Sequence, residues 1–150
     1  MYARAISYLP EFVAANVHLA ELEAARGDRA ASAARLEHAA ARSEEPEALA
    51  RLGELHIGAG DAVRGQREIA RARDRYEFLL RRHPLAFADH AAEFYLGPGA
   101  DAERAWILSR QNLANRETGR AVALALAAAR ATGRHEAERA LILRYQQRVR

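Results

Sequence analysis

The sequence predicts an all-α chain of antiparallel helix pairs stacked one upon the next, and three observations carry that expectation. Apolar residues recur at helical spacing, as in Val13, Val17, Leu19 and Leu22, then Leu49, Leu52, Leu55 and Ile57, then Ile69, Ala72, Tyr76, Leu79 and Leu80. No segment alternates with period two over a useful length, and the β-branched strand formers are sparse. Turn residues recur at a near-constant interval. Gly27-Asp28 returns as Gly60-Asp61 after 33 residues, a related turn runs Gly97-Pro98-Gly99-Ala100-Asp101, and Gly133 follows Gly99 by 34.

These corners have a mechanism. Glycine just past a helix accepts the left-handed conformation that ends it, and aspartate then accepts hydrogen bonds from the free N–H groups of the next helix. Pro10, Pro46 and Pro84 stand between the pairs, where proline suits the first turn of a new helix. The elements follow in order. A first helix covers Tyr2–Leu9, as a half-repeat over 1–10. Hairpins occupy about 11–43, 46–82, 84–115 and 118–149, with helices at 11–26 and 29–42, 47–58 and 62–82, 85–96 and 102–114, and 119–131 and 135–148. The Pro46 to Pro84 interval of 38 residues is about one helical turn too long, which places an extra turn in Arg71–Arg82. Gln146-Gln147-Arg148 reads as a polar terminal cap.

The 150 residues make one domain or one short repeat array, half of it hydrophobic and rich in alanine, the best helix former. There is no cysteine, which excludes disulfides, thiolate metal sites and a thiol nucleophile. All 23 cationic residues are arginine, a bias read as genome composition. The net charge of +3 is mild, because 20 acidic residues are interleaved with the arginines. The longest apolar run, Ala121 to Ala129, is far short of a membrane span, and the N-terminus lacks a signal-peptide plan, so a cytoplasmic location is expected.

Leu52-Gly53-Glu54-Leu55-His56-Ile57-Gly58-Ala59-Gly60-Asp61 resembles the tetratricopeptide repeat family, with its leucine-glycine pair in the first helix and glycine at the turn. Leu19-Ala20 and Ala91-Ala92 take the place of Leu52-Gly53 in the first and third hairpins, while Ala125-Leu126 reverses the order in the fourth. Tyr2, Ala5 and Pro10 resemble the family's marks in a second helix, so the first half of that repeat is missing. The favoured reading is a fragment of a longer array, and the other is a contact made by this end. His83 to Arg104 looks like a block found in bacterial repeat proteins. The resemblance implies a right-handed α-α superhelix whose concave face binds a peptide or protein segment, without cofactor or metal.

Equivalence of Leu19, Leu52 and Ala91 makes Glu21, Glu54 and Glu93 equivalent, with Asp89 one turn before Glu93. Together with Val17 and Ala50 these are the candidate partner-binding residues, and their carboxylates favour a basic peptide. The family's clamp for C-terminal carboxylates uses lysine, asparagine and arginine. The equivalent places here hold Val17, Ala50 and Asp89, so a binder of that kind is not expected. Arg64, Arg67, Arg71 and Arg75 form one stripe on the long helix. It could take phosphate, but Glu68, Asp74 and Glu77 lie near it and no aromatics interleave for base stacking. A solvated face is therefore preferred to a nucleic-acid site. His18 and His90 each precede a glutamate by three residues, with packing preferred to metal binding. The hydroxyls show no catalytic partner pattern, so no enzyme is expected. Trp106 and Tyr95 read as core aromatics. The functional expectation is a protein-interaction scaffold, with self-association through the N-terminal end, or service as the tail of a larger enzyme, as the alternative.

Overall fold

A computed structural model describes residues 2–148 of the chain. Among them are nine α-helices and no strand: α1 (Tyr2–Tyr8), α2 (Val13–Ala25), α3 (Arg29–Arg42), α4 (Pro46–Gly58), α5 (Ala62–Arg82), α6 (Pro84–Leu96), α7 (Ala102–Asn115), α8 (Gly119–Ala131) and α9 (His135–Arg148). The extra turn falls in α5, which has 21 residues against 14 in α3, α7 and α9. The side chains of Gln147 and Arg148, expected in the polar cap, lie outside the described residues.

The glycine corners form as their chemistry requires. Gly27, Gly60 and Gly133 have φ of +88°, +91° and +67°. At the first, Gly27 N donates to Ala24 O and Asp28 N to Glu23 O, closing α2 with the paired bonds of a glycine-ended helix. The Asp28 carboxylate then accepts from Ala31 N at 3.0 Å and opens α3. Asp61 repeats both roles, its N–H donating to His56 O and its carboxylate accepting from Arg64 N. The third corner departs from the expectation, because the left-handed residue is Ala100, with φ of 49°. Gly99 is needed there for closeness instead: a Cβ on it would stand 2.6 Å from the Phe94 ring.

Pro46 and Pro84 open α4 and α6 as expected. Pro10 does not open α2, which starts at Val13 with no side-chain cap. The buried Asn16 side chain reaches back to donate to Pro10 O and Phe12 O at 2.8 and 3.0 Å, so the carbonyls of this turn are satisfied from inside the helix.

The described residues gather into two compact units that part between Arg75 and Tyr76, within α5. In the first unit α1 packs on α2, α2 on α3 and α3 on α4, and α2 also touches α4. Its core joins Val17, Ala20, Leu36, Ala39, Ala48 and Leu52, edged by Val13, Ala40 and Leu55. Gly53 of α4 lies against Gly65 of α5, where a Cβ on either residue would come within 2.8 Å of the other's carbonyl oxygen. In the second unit α6, α7, α8 and α9 pack in succession and α6 also meets α8. Ala88, Ala91, Ala92, Ala105, Ala121, Ala125, Ala128 and Ala129 are fully buried there, which sets the helices close together. Tyr76, Phe94 and Tyr95 supply the bulk, with ring centroids 5.0 and 5.1 Å apart along that series.

Candidate functional site

In each unit the first helices carry carboxylates, and the structure gives those carboxylates partners. Glu21 on α2 and Glu54 on α4 share Arg51, whose Nε lies 3.1 Å from Glu21 and whose Nη1 lies 3.1 Å from Glu54. His18 Nδ1 also meets Glu21 at 3.1 Å. Burial works against the charge of Arg51, yet its hydrogen bond to Glu54 and the charges of Glu54, Glu21 and Glu47 outweigh that and raise its pKa. In the second unit Asp89 is buried and accepts from Arg116 Nη2 at 2.9 Å, with Arg120 Nε 3.6 Å away. Glu93 accepts from Arg120 Nη2 at 2.6 Å. The expected acidic wall is thus two carboxylate–arginine clusters, one in each unit.

Val17 and Ala50, read as partner-facing, are 1% and 6% exposed. α2 is covered by α3 and by α4, and Val17 shares one core cluster with Ala48 and Leu52 of α4. Both side chains are buried in this arrangement, whereas a partner-facing role calls for exposure.

The Glu21–Arg51–Glu54 cluster rims a cleft of about 280 Å³ in the first unit. Ala24, Leu36 and Leu55 give it an apolar lining, and Arg29 joins the polar edge. A site of this make-up can hold an apolar side chain while charged groups orient the chain that bears it.

The arginine stripe on α5 is largely engaged. Arg64 donates to Glu37 at 2.8 Å and Arg71 to Glu68 at 2.7 Å, and Arg75 stands 3.6 Å from Glu44. Glu77, expected to serve this stripe, instead accepts from Arg104 Nε and Nη2 and from the Tyr95 hydroxyl at 2.7–3.0 Å. Burial would raise the Glu77 pKa, but these hydrogen bonds and the Arg104 charge lower it on balance. His90 lies 4.0 Å from Asp89, and among the described residues no group of three or more acidic or histidine side chains converges as a metal site. No described helix is long and apolar enough to cross a membrane.

A regularity absent from the sequence reading joins these pairs. Glu37–Arg64, Glu77–Arg104, Asp89–Arg116, Glu93–Arg120 and Glu117–Arg144 are all separated by 27 residues, with the acid always first. That interval carries Glu37, Glu77 and Glu93 to arginines on the next hairpin, while Asp89–Arg116 and Glu117–Arg144 tie a helix to the connection between α7 and α8, so part of the arginine content is structural stapling. Trp106, expected as a core aromatic, departs from that expectation. It is half-buried, not core, and the guanidinium carbons of Arg110 and Arg134 each lie 5.5 Å from its ring centroid. Tyr95 is buried as expected. No protein-family model matches the chain, and no curated protein matches it.

Proposed function

We propose that this chain is a tetratricopeptide-type helical repeat, wound as an α-α solenoid, that holds a segment of a partner protein and performs no catalysis. The observation that supports this most is the first-unit cleft, with its apolar lining and its Glu21–Arg51–Glu54 edge. A basic residue on the partner would compete with Arg51 for Glu21 and Glu54, while an apolar neighbour entered between Leu36 and Leu55.

Peptides selected from a displayed random library on the wild-type protein provide the test. Glu21→Arg with Glu54→Arg should weaken the selected basic peptides by about tenfold or more. Unchanged affinity in a variant with an unaltered helical spectrum would remove the cleft from the reading.

Self-association is the second reading, favoured by Tyr8, Leu9 and Phe12, which are 78%, 57% and 46% exposed at the N-terminal end. Sedimentation that stays monomeric at high concentration would end it.

A further inference from the structure

The second unit holds a larger cleft, of about 580 Å³, between α7, α8 and α9. Trp106, Leu113, Ala137, Ala140 and Leu141 line it, with Arg110 among the charged residues at its edge. Its composition is not what the repeat requires, as a comparison in register makes plain. The helices α7, α8 and α9 begin 73 residues after α3, α4 and α5 (Arg29 to Ala102, Pro46 to Gly119, Ala62 to His135). In that register Ala137, Ala140 and Leu141 replace Arg64, Arg67 and Glu68, while Trp106 replaces Ala33. A charged face in one hairpin has become an apolar one in the other.

The replacement of one ion pair says what kind of partner fits. Glu37 accepts from Arg64 at 2.8 Å in the first unit. The equivalent residues in the second unit are Arg110 and Ala137, so the acid has become a cation and its partner a methyl group. Among the described residues no carboxylate pairs with Arg110, whose guanidinium instead lies by the Trp106 ring. Arg144 at the same edge is taken by Glu117 at 2.8 Å, and Arg134 by Glu103 at 2.8 Å. Among the described residues at this edge, Arg110 is the guanidinium without a carboxylate, and it stands beside an apolar trough.

We propose that this cleft docks an acidic amphipathic helix of a partner protein, which sets a bulky apolar side chain against Trp106 and Leu141 and a carboxylate against Arg110. The alanines at Ala137 and Ala140 leave room for the incoming backbone. This surface is distinct from the Glu21–Arg51–Glu54 cleft and selects a partner of opposite charge.

Trp106 is the only tryptophan, so its emission reports on this site directly. The full chain is titrated with a blocked synthetic peptide of about fifteen residues of Leu, Ala and Glu, leucines at helical spacing. Its scrambled isomer, the same pattern with Lys for Glu, and dodecanoate are run beside it. The expected result is a saturable shift of Trp106 emission with the acidic amphipathic peptide. The scrambled and Lys peptides should bind at least about tenfold more weakly. Arg110→Glu should cost a similar factor, and Ala140→Arg should block the cleft with the residue type the first unit carries in that register. Both substitutions lie on the exposed surface, and thermal melts check that each variant folds; if Ala140→Arg does not, Arg110→Glu decides alone. The proposal falls if no saturable change appears below about 1 mM, if scrambled or Lys peptide binds as tightly, or if Arg110→Glu is indifferent. It falls equally if dodecanoate fills the site and the peptide does not.

Discussion

Two glycines in neighbouring helices of one hairpin answer to opposite rules. Gly58, at the end of α4, has open space where a Cβ would stand and no left-handed backbone. Alanine there lowers the entropy lost on folding, and Gly58→Ala should stabilise by about 0.5 kcal/mol. Gly65 is the reverse case, since a Cβ would meet Gly53 O at 2.6 Å and Ile57 Cγ1 at 2.5 Å. A backbone oxygen cannot step aside as a flexible side chain can. Gly65→Ala should therefore destabilise by about 1–3 kcal/mol despite its better helix propensity. Urea titration of both variants checks the pair, and equal effects would show that the α4–α5 contact is looser than these distances. The family-like Leu52-Gly53 pair pointed to one side of this contact. Gly65 carried no comparable signal, because its reason for being glycine sits 12 residues away on another helix.

At the scale of the element, helix ends were readable where their chemistry is local. The starts of α3, α5, α8 and α9 were read directly, because a capping aspartate or threonine or a glycine corner opens each without help from elsewhere. The start of α2 was misread, since the Pro10 turn is organised by Asn16 from inside the following helix. Burial was readable as a periodic stripe but not as a width. The inner side of α2 was narrower than expected because α4 covers Val17, and that contact depends on how successive hairpins stack. Glu54 has its arginine three residues away, but Glu21, Asp89 and Glu93 also meet arginines 30 or 27 residues away, and no local pattern names those. Leu52 tests the stack itself. It is 4% exposed and shares one cluster with Val17 of α2 and Leu36 of α3. Leu52→Ala should cost about 2–5 kcal/mol in a denaturant titration, and a loss below about 0.5 kcal/mol, the range of surface substitutions, would place it outside the core.

For the whole molecule, the carboxylate–arginine pairs set the response to acid. Burial opposes the charge of Glu77, but Arg104 and Tyr95 hold its pKa below the ordinary value in the folded state. The Arg130 hydrogen bond does the same for Glu138. The native state thus binds fewer protons than the unfolded chain through this range. The stability these groups supply is complete above about pH 4.3, the unperturbed glutamate value, and drains away as pH falls through the lowered values. Glu77→Gln should flatten that acid limb while leaving its position on the pH axis for other groups unchanged. Melting temperatures measured from pH 7 down to about pH 3 would reveal it, and an identical slope in the variant would exclude Glu77 as a contributor.

The choice of arginine for every one of the 23 cationic side chains reaches to the other end of the scale. A lysine releases its proton near pH 10.4, about two units or more before a guanidinium does. Each carboxylate–arginine clasp therefore keeps its positive partner under strongly alkaline conditions. Amine-directed labels and acetylation, which need a lysine, find no side-chain target within this chain. Chemistry that silences ordinary surface cations leaves this lattice charged.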